Sequence, residues 1–169
     1  MAVRQKALAI NPNYAEANSN LGNVLQELGR LNEAVAHYRS ASDIKPDYAE
    51  AHNNLGIALG IRGEFDMAVR HFRAALKANP QYAEAYNNLG ITLGGQGRLD
   101  EAINQFREAL RIDADYADAH NNLGSALGSQ GKINEAVEHF RKAVEADGSH
   151  AGARSNLEMA LSVQKQGKP

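Results

Sequence analysis

Asn20, Asn54, Asn88 and Asn122 stand 34 residues apart, and Asn156 continues the series. Three of them follow another asparagine (Asn53, Asn87 and Asn121), and the first four precede a Leu-Gly pair. A primary amide donates and accepts hydrogen bonds, so it pairs with a peptide group bidentately whatever side chain that peptide carries. A regular row of amides would therefore hold an extended chain by its backbone. Asparagine is also a poor helix former, and its repetition inside a helical pattern needs a use. The plainer use is structural, each amide bridging adjacent helices and stiffening their stack. Comparison within the chain shows the contrast: Ala36, Arg70, Asn104 and Glu138 drift at one repeated position while the asparagines do not.

Other chemistry finds less support. The chain has no cysteine, which removes disulfides, thiolate catalysis and thiolate zinc sites. It shows no phosphate-binding glycine loop, no nucleophile-elbow serine and no metal-binding His-Glu helix, so neither catalysis nor a cofactor is expected. His37, His71 and His139 recur at one position of the repeat. Helices pack about 8–10 Å apart, too far for histidines on successive equivalent helices to share a metal ion, and a solvated outer face is expected for them.

Composition narrows the partners. The 169 residues are 43% hydrophobic and 22% charged, an ordinary globular balance. A net charge of −2 and a pI near 6.3 lack the basic excess that nucleic acid requires. No run approaches the roughly 18 apolar residues of a membrane span, and no signal peptide is recognisable, so a soluble, cytoplasmic protein is expected.

The elements that position the asparagines are set by the repeat. Tyr14, Tyr48, Tyr82 and Tyr116 open units 14–47, 48–81, 82–115 and 116–149, with a partial unit at 1–13 and a last helix at 150–169, all read as one domain. Each unit reads as two amphipathic helices: Ala51, Leu55, Ala58 and Leu59 form one apolar stripe, and Phe65, Ala68, Val69, Phe72, Ala75 and Leu76 the next. Gly29, Gly63, Gly97 and Gly131 separate the helices, and Pro12, Pro46 and Pro80 close three second helices. Asp47 with Glu50 forms a capping-box pattern, echoed by Asn13 with Glu16 and by Asp115 with Asp118. Ala114 and Gly148 stand where the closing proline is lost, which predicts looser junctions there. Such a helix pair buries its apolar face only by stacking on neighbours, so an all-α solenoid is expected.

Helix geometry turns the amides away from the core. At about 100° per residue Asn54 lies about 140° from Leu59, whereas Glu50 and Ile61 fall within about 40° of it and Ile57 within about 60°. The same stripe carries Glu84, Asn88 and Ile91 in the next unit. Gly60, Gly94 and Gly128, inside the first helices, mark either a close approach or a frayed end.

The period, the Leu-Gly pairs (Leu21-Gly22, Leu55-Gly56, Leu89-Gly90, Leu123-Gly124), the aromatics Tyr38, Phe72, Phe106 and Phe140, and the small Ala34, Ala68, Ala102 and Ala136 resemble the tetratricopeptide repeat family. That resemblance implies a right-handed α-solenoid of antiparallel helix pairs with the first helices on a concave, partner-binding face. The asparagine before Leu-Gly is similar to the amide ladder in the repeats of O-linked N-acetylglucosamine transferase, which grips the backbone of protein substrates. An acidic ladder four residues earlier in that enzyme is matched by Glu16, Glu50, Glu84 and Asp118. Its catalytic domain has no counterpart here, so the resemblance implies recognition and not glycosyl transfer. The cationic clamp of chaperone-tail repeats is absent from this face.

The expected site is thus a peptide groove formed by Asn20, Asn54, Asn88 and Asn122 with Asn53, Asn87 and Asn121, apolar Ile57, Ile61 and Ile91, and acidic Glu50 and Glu84. Its expected partner is an extended protein segment, neutral to basic. Two alternatives stay open: a structural module that self-associates through its N-terminal edge into a homo-oligomer, and a substrate-recruiting piece of a larger enzyme. At the other end, Glu158 in place of glycine and Lys165 in place of the turn glycine predict a polar helix that closes the stack.

Overall fold

A computed structural model describes residues 13–166. Nine helices run in order: α1 (Asn13–Glu27), α2 (Leu31–Ile44), α3 (Ala49–Ile61), α4 (Phe65–Ala78), α5 (Ala83–Gly95), α6 (Leu99–Ile112), α7 (Ala117–Ser129), α8 (Ile133–Ala146) and α9 (Ala151–Gln166), with no strand among the described residues. They divide into two compact units between Pro80 and Gln81. In the first, α1 pairs with α2, α3 with α4, and α2 packs on α3. In the second, α5 pairs with α6, α7 with α8, α6 packs on α7, and α9 lies against α8 and α7. Each unit is an all-α stack of helix pairs, as the repeat predicts.

The helix pairs turn on glycine. Gly29, Gly63, Gly97 and Gly131 adopt φ of 73°, 79°, 76° and 76°, the left-handed region that only glycine enters without strain. The core of each pair is an aromatic ring over a bare backbone. A Cβ on Gly56 would stand 2.7 Å from the Phe72 ring, and one on Gly124 would stand 2.7 Å from Phe140. Gly22 and Gly90 meet Tyr38 and Phe106 in the same way, at 2.5 Å. The Leu-Gly pair therefore exists to seat this ring. Gly60 has nothing within 4 Å, and Gly94 and Gly128 make only ordinary contact with alanine, so no close approach explains them.

The caps differ from expectation. α3 begins at Ala49 with Tyr48 as N-cap, and no side chain caps it; α7 begins likewise after Tyr116. Asp47 and Asp115 fall one residue too early to reach the first free N–H groups, so the capping box does not form. The junctions without proline carry hydrogen bonds of their own. Asp113 Oδ1 accepts the Asp115 N–H at 3.1 Å, and Asp147 Oδ1 accepts the Ser149 N–H at 2.8 Å and its hydroxyl at 2.6 Å. An aspartate one residue upstream thus holds by hydrogen bond the turn that proline fixes elsewhere. Asp147→Ala should lower unfolding stability, read as a lower midpoint in urea denaturation.

The N-terminal partial repeat lies outside the described residues. Beside it, α1 exposes Tyr14, Leu21, Val24 and Leu28, although Leu55 and Leu123, which occupy the Leu21 position in later repeats, are fully buried. The final helix exposes polar and apolar side chains together. Glu158 is exposed, but so are Met159 and Val163.

Candidate functional site: the amide rows

The asparagines of each unit are tied to one another. In the first unit Asn54 Nδ2 donates to Asn23 Oδ1 at 3.0 Å. In the second, Asn122 Nδ2 donates to Asn87 Oδ1 and Asn156 Nδ2 to Asn121 Oδ1, both at 2.9 Å. These bonds link first helices of consecutive repeats: α3 to α1, α7 to α5 and α9 to α7. Each uses one of the four bonding directions of the donating amide.

The two asparagines of "NNLG" are not equivalent. Asn53 and Asn87 are buried, 0% and 3% exposed, whereas Asn54, Asn88 and Asn122 are half-buried and Asn20 is exposed. One residue is about 100° of helix, which turns the first amide toward the following repeat and leaves the second nearer the surface. Asn53 and Asn87 were expected among the groove residues but are packed inside, where Asn87 serves Asn122. Asn121 is half-buried.

Ser19 shows what the buried amide does. It occupies the place of Asn53 and Asn87, is fully buried, and its Oγ lies near the Tyr48 hydroxyl without a hydrogen bond of acceptable geometry. A serine is too short to serve the next repeat, so Asn54 turns to Asn23 instead. Ser19→Asn should restore the regular register and raise stability by about 1 kcal/mol in urea denaturation.

The acidic row has a role that the sequence did not show. The Tyr116 hydroxyl lies beside Asn87 and near Glu84 and Asp118; burial first, then these carboxylates, push it up to about 12. At the fifth place of the series His150 replaces tyrosine, and its Nε2 meets Asp118 Oδ1 at 3.1 Å. At these two places the aromatic that opens a repeat approaches the acid of the repeat before it, whereas the Tyr48 hydroxyl donates to Glu50 of its own repeat at 3.3 Å. Glu16, Glu50, Glu84 and Asp118 remain exposed.

Next to the amides, Ile57 is half-buried, while Ile61 and Ile91 are exposed at 64% and 49%. Met159 and Val163 occupy, in α9, the repeat positions of Ile91 and Gly95 and are exposed, while Ser125 and Ser129 hold those positions in α7. Repeat arithmetic would have found both.

The histidines correct the solvated-face expectation. His71 Nδ1 lies 3.2 Å from His52 Nδ1, and His139 Nδ1 lies 3.0 Å from His120 Nδ1. His37 Nδ1 bonds Asn18 Oδ1 at 3.0 Å. Each pair joins the two helices of one hairpin, 19 residues apart, and all three second-helix rings are half-buried. No group of three or more metal-ligating side chains occurs among the described residues.

Models of the tetratricopeptide repeat match residues 13–81, 71–104 and 117–150, and a further TPR-repeat model matches 93–131. Between them they leave no gap from 13 to 150. The chain belongs to the tetratricopeptide repeat family. Similar solved structures include MamA, 29% identical over 88% of this chain and 86% of that one, with a TM-score of 0.75. Pseudomonas aeruginosa PilF is 25% identical over 91% and 70%, with a TM-score of 0.84. YrrB, described as a TPR protein with an unusual peptide-binding site, is 23% identical over 98% and 85%, with a TM-score of 0.74. A search of curated proteins gives no match. In tetratricopeptide terms the amide rows lie on the first helices of the repeats, and the histidine pairs lie where first and second helices meet. No helix among the described residues is long and apolar enough to cross a membrane.

Proposed function

We propose that this tetratricopeptide chain is a non-catalytic protein-interaction module whose amide rows hold the backbone of an extended protein segment. The observation that carries the reading is the bonding of Asn54 to Asn23 and of Asn122 to Asn87. Asn54 and Asn122 are fixed before a ligand arrives and keep bonding capacity, so little of their side-chain freedom is lost on binding. Asn20, Asn54 and Ile61 with Glu50 serve in the first unit; Asn88, Asn122 and Ile91 with Glu84 serve in the second. Exposed carboxylates beside apolar side chains favour a neutral to basic segment. The peptide-binding site named for YrrB supports this use of the fold.

The same bonds support a second reading, in which the amides only staple the stack. Peptide-array binding by the wild-type chain and by Asn54→Ala/Asn122→Ala, with a thermal melt of each, separates the two. Peptide recognition predicts that affinity falls about tenfold or more while the variant stays folded at the assay temperature. Absence of hits for the wild type, with a sharply lowered melt for the variant, would leave only the staple.

A further inference from the structure

About 160° around α7 from Asn122, on the flank opposite the amide row, the second unit has a different kind of site. A cavity of about 330 Å³ is lined by His120, His139, Arg107, Arg111 and Lys142. Three cations and two imidazoles therefore converge on one opening between α6, α7 and α8. Arg111 Nε bonds Glu108 at 2.8 Å, which leaves the rest of its five-donor guanidinium fork. Arg107 and Lys142 make no ion pair among the described residues.

The protons of the histidine pair are set by its surroundings. His120 Nε2 lies 3.0 Å from the Ala114 carbonyl, which only accepts, so Nε2 carries the hydrogen. The Nδ1 of neutral His120 is then an acceptor, and His139 Nδ1–H donates to it. His139 Nε2 is left with a lone pair. One further proton fits there without breaking the pair; a second, on His120, does not fit.

The first unit supplies a control. His52 and His71 form the same pair, with His52 Nε2 3.1 Å from the Pro46 carbonyl. Yet the residues corresponding to Arg107, Arg111 and Lys142 are Arg39, Asp43 and Ala74. The pair recurs with one cation, Arg39, in place of three and with Asp43 opposing it, so pairing is a feature of the hairpin and the concentrated positive charge is a feature of this cavity.

We propose that the cavity between α6, α7 and α8 binds a phosphate-type oxyanion, held by Arg107, Arg111 and Lys142 and completed by a proton taken up on His139. Guanidinium forks match the oxygens of such an anion, and the lysine adds a point charge. With the cavity empty, burial, His120, Lys142 and Arg107 hold His139 down at about 4, with Glu135 opposing. Burial and Lys142 lower His120, against the Ala114 carbonyl, Asp115 and Asp113. A bound anion offsets the cations and raises His139, so anion and proton bind together.

Inorganic phosphate, titrated at fixed ionic strength against chloride while the histidine ring protons of the whole chain are followed by NMR, tests the site. The expected result is a saturable shift of His120 and His139, a rise in the His139 titration midpoint, and no shift of His52 and His71. Arg107→Gln/Lys142→Gln, both exposed positions, should weaken binding about tenfold or more, with helicity checked by circular dichroism. If that variant loses helicity, Lys142→Gln alone is read. No saturable shift, equal shifts at both pairs, or unchanged affinity in the folded variant would overturn the proposal.

Discussion

Gly56→Val is expected to lower unfolding stability by about 3 kcal/mol, and Gly60→Ala, one turn later in the same helix, to raise it by about 0.5–1 kcal/mol. The two glycines look alike in "GIALG". At Gly56 a new Cβ would meet Cε1, Cδ1 and Cζ of Phe72 at 2.7–2.9 Å, and Phe72 is 2% exposed with its ring wedged in the core. The ring cannot swing clear without opening the α3–α4 pair, so valine overpacks a site already at contact distance. At Gly60 nothing lies within 4 Å and φ is not left-handed, so alanine removes backbone entropy from the unfolded chain and meets no clash. Urea denaturation of both variants checks the opposite signs; a Gly56→Val protein as stable as the wild type would refute the ring-seat account.

Acidification from pH 7 to pH 4 should cost about 3 kcal/mol through the two histidine pairs together. His71 and His139 are each pushed down to about 4, by burial first and then by the partner histidine. In the unfolded chain a histidine titrates near 6.5, so the unfolded state takes up protons that the folded state refuses. The stabilisation is complete above pH 6.5 and is lost as pH falls toward 4. Both rings remain partly solvated and water screens them, which limits the expectation to about 1.5 kcal/mol per pair. The third repeat supplies the control substitution, since Gln105 stands where the others carry histidine. His71→Gln/His139→Gln should flatten the stability profile between pH 6.5 and 4; an unchanged slope would assign the loss to carboxylates.

What the sequence made legible, and what it hid, follows from the range of each interaction. The 34-residue period, the left-handed glycines and the Leu-Gly seat of the aromatic depend on residue type at fixed spacing, and each appears where the repeat places it. The histidine pairs were hidden because His52 and His71 meet only when the hairpin folds back, 19 residues apart. Counting between equivalent second helices compared the wrong partners. Asn53 and Asn54 look interchangeable in a string of letters, yet 100° of rotation buries one and leaves the other half-buried. The capping box failed by a single residue, since Tyr48 and not Asp47 precedes the first helical turn. Asp113 and Asp147 were overlooked because the missing proline drew notice to the following position.

The amide bonds have one further consequence. In each described link the later repeat gives the hydrogen and the earlier one receives it: Asn54 to Asn23, Asn122 to Asn87, Asn156 to Asn121. Such a row has a grain. Asn54 and Asn122 are each turned by the repeat before them, so the remaining donor and acceptor of each meet an incoming chain in a fixed order. A peptide backbone also has a sense, from amino to carboxyl end, and only one of its two orientations can match that order along the row. Reversing a bound sequence should therefore forfeit backbone hydrogen bonds even when every side chain is kept.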